Sequence, residues 1–176
     1  MRTLTILFIL LCILSCKKES SDITLIGNRN KNFVISKLNP EIIISGAGED
    51  SLDLNNDGIF DIKFYRSPIQ LIFGGYGSES GIIIKNGFQI ALSNTNKYPA
   101  ALSKKTILDD NLNWSVGDSL KLILQGYNCG TTGCPGIANF INVSEKYIGF
   151  RNGEKYGWIK VDNTVWELKI KEYTIL

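Results

Sequence analysis

The chain has 176 residues with 19 basic and 17 acidic side chains and no histidine. Near-neutral charge without a basic block leaves no electrostatic case for a nucleic-acid partner. The missing histidine removes the commonest general base, the commonest zinc ligand and every Ser-His or Cys-His nucleophile pair.

Residues 1–15, "MRTLTILFILLCILS", carry a positive charge at Arg2 and an apolar run from Leu4 to Leu14, then small Ser15 before Cys16. The run is too short to stay in a bilayer as a spanning helix and reads as an export signal. Ile13, Leu14, Ser15 and Cys16 resemble a bacterial lipobox, although Leu14 replaces the usual Ala or Ser. That resemblance implies cleavage before Cys16 and a diacylglycerol on its thiol, with palmitate-type acyl chains. The alternative is an ordinary secretory signal with Cys16 unmodified, and a cysteine at the cleavage point favours the lipoprotein. Polar residues 16–22 form the lipidated tether. Anchoring of this kind does not span the membrane, and each buried methylene contributes ~0.8 kcal/mol.

Residues 23–176 read as one domain of short strands. "NFVIS" and "EIIIS" flank "KLNP"; "IFDIKFYR" alternates, with Phe60, Ile62 and Phe64 on one face and Asp61, Lys63 and Tyr65 on the other. "GIIIKNGFQIAL" predicts a hairpin turning at Asn86-Gly87, two residues that accept positive φ. Residues 93–114 have no clean period and predict a long connection with a helical turn near Ala100 to Lys105. "SLKLILQGY" and "GIANFINV" predict further strands. The C-terminus predicts a three-strand meander with turns at Asn152-Gly153 and Asp162-Asn163. In its last strand Trp166, Leu168 and Ile170 share a face, and a bulge near Lys171-Glu172 would bring Tyr173 and Ile175 to the core. Roughly ten strands without a sustained helical stripe predict an all-β chain: a single antiparallel β-sandwich, jelly-roll-like, or a related barrel.

Two short stretches carry chemistry. In "DLNNDGIFD" the side chains of Asp53, Asn55, Asp57 and Asp61 stand at positions one, three, five and nine. Gly58 permits a sharp turn and Ile59 offers its carbonyl. Ca²⁺ takes six to eight such oxygens, so the stretch predicts a structural calcium site. The competing reading is an acidic "NDG" hairpin turn. The stretch resembles the aspartate-rich calcium loops of EF-hand, dockerin and thrombospondin type 3 repeats, but Phe64 stands where an EF-hand has a bidentate Glu and strands flank it. The missing Glu implies weak affinity, about 10⁻⁴ to 10⁻³ M, and the flanking strands argue against a helix-opening sensor. In "NCGTTGCPG", Cys129 and Cys134 close a short Gly/Thr loop; oxidising surroundings favour a disulfide of about 2 kcal/mol over a redox or zinc pair.

Other features weigh less. "VGDSL" copies an esterase nucleophile motif at Ser119 but lacks the histidine base, so Ser119 reads as a turn residue before a strand. Glu49, Asp50, Asp109 and Asp110 leave a carboxylate-based hydrolase of envelope or extracellular glycans as the alternative to a binding module. Trp158 reads as core. Trp114, at a loop-strand junction, and Tyr76, in the glycine-rich "FGGYGSESG" loop, are the candidate ligand platforms for a glycan or protein. The lipobox, the "DLNNDGIFDIKF" segment and the ending "YIGFRNGEKYGWIKV" are together similar to lipoproteins and secreted proteins of Bacteroidota-type bacteria. The resemblance implies an outer-membrane address and an all-β domain, and implies no activity.

Overall fold

The computed structural model describes residues 24–27, 34–70, 75–95, 97–115, 117–127, 136–137 and 139–176. The expected export signal (1–15), the expected tether (16–22) with Cys16, and Cys129 and Cys134 lie outside the described residues. The described residues form strands and turns without helix: β1 (Thr24–Leu25), β2 (Val34–Ser45), β3 (Gly48–Leu52), β4 (Ile62–Gln70), β5 (Tyr76–Ile84), β6 (Gln89–Ile90), β7 (Ile107–Leu108), β8 (Ser119–Tyr127), β9 (Gly136–Ile137), β10 (Val143–Asn152), β11 (Lys155–Asn163) and β12 (Glu167–Ile175). They pair antiparallel in a five-stranded sheet ordered β3-β4-β5-β8-β9, a five-stranded sheet ordered β2-β12-β11-β10-β6, and the small sheet β1-β7.

The period-two alternation of apolar residues decides which face each strand buries. Ile62, Phe64, Ile82, Ile84, Leu122 and Ile123 from the first sheet join Ile148, Phe150, Ile159, Val161, Leu168 and Ile170 from the second in one buried cluster. A register shift beside Ser80 allows neighbouring Leu122 and Ile123 both to be buried. A second cluster, Ile26, Leu108, Tyr147 and Trp158, ties β1 and β7 to the other face of β10 and β11, since Trp158 and Ile159 point to opposite sides. Trp158 is 1% exposed and meets Tyr147 edge-on, as its core assignment predicts.

Arg66, 5% exposed, crosses between the large sheets. It donates Nη1 to the Thr164 carbonyl at 3.1 Å and Nη2 to the Val165 carbonyl, both in the β11-β12 turn. Beside it, Asn163 donates to Ser80 Oγ at 3.2 Å. These bonds hold the end of one hairpin onto the face of the opposite sheet.

Several local expectations change. "KLNP" does not separate two strands: β2 runs through it, and the chain bulges between Lys37 and Ile42 while β12 advances from Ile170 to Glu172. Against β11, Lys160 pairs with Glu172 and Val161 with Ile170, so Lys171 is an extra residue and the expected bulge is present. Tyr173 packs against the main cluster, Ile175 is half-buried, and Thr174 is buried against the Trp158 backbone. Phe60 is 40% exposed and precedes β4, whereas Asp61, expected on the face opposite Phe60 and as a loop ligand, is fully buried. Asn86 and Gly87 take the positive φ predicted (56° and 76°), but β5 and β6 leave that turn for different sheets. Ala100 to Lys105 forms no helical turn; Leu102 bridges Tyr147 instead. "GIANFINV" contributes only β9 before a turn at 139–142. β11 continues through Asn163, so the last turn is Thr164 to Trp166, and Trp166 is 66% exposed rather than sharing a face with Leu168.

Candidate functional site

The acidic loop connects β3 to β4 and its side chains answer its own backbone. Asp53 accepts the N–H of Asp57 at 3.2 Å and of Gly58 at 2.7 Å; Asn55 Oδ1 accepts the N–H of Asp57 at 3.1 Å; Asp57 Oδ1 accepts the N–H of Ile59 at 2.8 Å. Asn55 also donates to Asp57 Oδ2 at 2.9 Å. Short Asx side chains satisfy a tight turn in this way, and Asn56 (φ 60°) and Gly58 (φ 85°) supply its left-handed residues. Asp53, Asn55 and Asp57 are thus gathered at one tip, with Ile59 59% exposed beside them.

Asp61 goes elsewhere. Its Oδ2 accepts the Leu54 N–H at 2.8 Å and its Oδ1 accepts Asn86 Nδ2 at 2.9 Å, while its backbone pairs with Leu52 and Lys85. The ninth loop position therefore clamps the base of the loop to the Asn86-Gly87 turn from inside. Among the described residues no three His, Cys, Asp or Glu side chains come together as a metal-holding group, because only two carboxylates, Asp53 and Asp57, share the tip.

A second constellation surrounds Trp114. The bridge from Trp114 to Ala91 holds the indole at the β6 end of its sheet, and its Nε1 donates to the Asp109 carbonyl at 3.1 Å. Tyr156 lies 5.7 Å away, tilted 44°, and the Arg151 guanidinium sits 4.8 Å from the indole ring. Arg151 Nε donates to Gln89 at 2.7 Å and Nη1 pairs with Asp110 at 2.7 Å; the Tyr156 hydroxyl donates to the same carboxylate oxygen at 2.9 Å. Burial and the neighbouring Asp110 carboxylate hold the Tyr156 hydroxyl protonated above its ordinary range. Two aromatic faces, a guanidinium, an amide and an exposed carboxylate thus stand together on one surface.

Sequence reading found Trp114 as a platform and Asp110 only as a candidate hydrolase carboxylate. The register Arg151↔Tyr156 around the Asn152-Gly153 turn was the usable signal: their neighbours Phe150 and Gly157 face the core, so these two face out together. Gln89 comes from a distant segment and carries no such signal, and nothing in the sequence joins Asp110 to Arg151 and Tyr156. Tyr76 does not join the group; it opens β5 in the other large sheet and is 58% exposed.

The remaining candidates are dispersed. Glu49 pairs with Lys63 at 2.7 Å, Asp50 accepts the Ser51 N–H, Asp109 holds Asn111 and Asp110 holds Arg151. Ser119 begins β8 at an exposed position. Comparison with known proteins returns no matching family model, no matching curated protein and no matching solved structure.

Proposed function

We propose that the protein is a lipid-anchored binding module of the cell envelope, held at the outer membrane through Cys16, and that its ligand is a glycan gripped by the Trp114 surface. The two large sheets stack as a single β-sandwich domain over residues 23–176, with jelly-roll-like passages between sheets at β2 to β3, β5 to β6 and β9 to β10. Their shared apolar cluster supports the stacking.

The observation that carries the glycan reading is the grouping of Trp114, Tyr156, Arg151, Gln89 and Asp110. The apolar C–H face of a sugar ring stacks on an aromatic face, while its hydroxyls need mixed donors and acceptors at the rim. The test is a glycan array probed with the tagged mature domain: selective binding that Trp114→Ala removes supports the reading, and equal signals from wild type and variant refute it.

Calcium belongs to the same reading as a structural ion. Asp53, Asn55, Asp57 and the Ile59 carbonyl fit it by chemistry, since three of the four already converge on the turn at Gly58; Asp61 buttresses the loop from inside. At free Ca²⁺ about tenfold above the dissociation constant the ion adds ~1.4 kcal/mol, a melting rise of about 3 to 6 °C for a domain this size. Asp57→Ala abolishes that rise, and an unchanged wild-type melt in millimolar Ca²⁺ removes the claim. A Cys129–Cys134 disulfide would stiffen a separate loop, and mass spectrometry with and without reductant decides it.

A further inference from the structure

We infer that the cleft beside the Asn86-Gly87 turn is a second sugar subsite, continuous with the Trp114 surface, and that the two together take an uncharged oligosaccharide. This inference rests on the glycan reading above and adds to it a second contact and a charge preference.

The cleft has a volume of about 260 Å³ and is lined on its polar side by Lys85, Asn86, Gln89, Ser115 and Asp118. It lies just below the usual ligand-pocket range of about 300 to 1,000 Å³, a size suited to one ring of a chain. Gln89 is the wall it shares with the Trp114 surface. The Gln89 amide donates Nε2 to the Ser115 carbonyl at 2.8 Å and its Oε1 accepts Arg151 Nε at 2.7 Å. Ser115 is the residue after Trp114 and its carbonyl holds the Gln89 amide, so the two surfaces meet at the Gln89 side chain.

The cleft is also preformed. Ser115 Oγ accepts the Ile90 N–H at 2.8 Å, Ile84 N–H donates to the Asp118 carbonyl at 2.7 Å, and Asp61 grips both Asn86 and the Lys85 backbone. Rigid walls lower the ordering cost of binding. The charges are balanced on both halves: Arg151 is paired with Asp110, and the cleft holds one cation, Lys85, and one anion, Asp118. An anionic sugar would face the Asp110 and Asp118 carboxylates and compete with Asp110 for the Arg151 guanidinium, whereas hydroxyls meet no such repulsion.

The experiment titrates the mature domain with neutral gluco-, manno-, xylo- and chito-oligosaccharides from disaccharide to hexasaccharide, beside oligogalacturonates of equal length. Affinity is expected to rise about tenfold or more with length for a neutral series, about 1.4 kcal/mol, with the uronates weaker. The double variant Lys85→Ala/Asp118→Ala should lose that rise, whereas Trp114→Ala weakens every length. The Lys85 side chain rests on the Phe60 ring, 4.8 Å away, so an unchanged melting curve verifies that the double variant is folded. A length dependence that survives in the double variant, or a preference for uronates, overturns the subsite and leaves the Trp114 reading standing. No binding to any oligomer, neutral or uronate, overturns both.

Discussion

Replacing Asp61 by alanine separates two roles for one residue. Sequence position makes Asp61 the ligand at position nine of a calcium loop; the structure makes it a buried clamp, accepting Leu54 N–H at 2.8 Å and Asn86 Nδ2 at 2.9 Å. Removing a carboxylate that is fully buried strands the Leu54 N–H away from water. An unsatisfied buried donor costs about 1 to 3 kcal/mol, and the lost bond from Asn86 to a charged acceptor adds about 1 kcal/mol more. The expected loss is therefore about 2 to 4 kcal/mol. At about 2 to 4 °C per kcal/mol for a domain of this size, the melt falls by roughly 4 to 16 °C. Calorimetry in EDTA is the discriminating assay, because a clamp matters without an ion. The full loss should appear in EDTA, and an Asp61→Ala/Asn86→Ala cycle should show coupling above about 0.5 kcal/mol. A melt unchanged in EDTA but lowered in calcium would refute the clamp and restore the ligand role.

Three further outcomes follow from packing and charge. Gly157→Ala puts a methyl group into the Phe150 ring and the Thr174 hydroxyl, and should destabilise by about 1 to 3 kcal/mol in urea titration. Burial, then the hydrogen bond to Glu79, pushes Tyr65 up to about 12. Because the folded value is raised, the associated stability is complete below the ordinary tyrosine value of 10.0 and lost as pH climbs through about 12. Phenolate absorbance should show Tyr65 titrating late together with Tyr147 and Tyr156, and Glu79→Gln should bring one of these late tyrosines earlier. Asp162 behaves oppositely: burial raises it, but the Glu145 N–H and Lys171 outweigh burial and hold it below the usual 3.8. Its contribution is present above 3.8 and declines as pH falls through the lowered folded value. Asp162→Asn should flatten the acid limb of the stability profile.

The sequence by itself determined the all-β character, several strand cores and the left-handed residues at two turns. These are local properties: side chains alternate with period two along a strand, and Asn or Gly accepts positive φ wherever the chain reverses. The same local logic located the bulge in β12, because a change of parity needs an extra residue whatever the sheet around it. It could not say that β5 and β6 part company after the Asn86-Gly87 turn, since a turn specifies reversal and leaves the choice of ladder partner to the rest of the molecule. Only the tertiary structure decided that Asp61 turns inward to Asn86 and that Trp114 acquires Arg151, Tyr156, Gln89 and Asp110. Those contacts join segments far apart in the chain, and such pairs are selected by how two sheets and their connections pack, which no short stretch of sequence encodes.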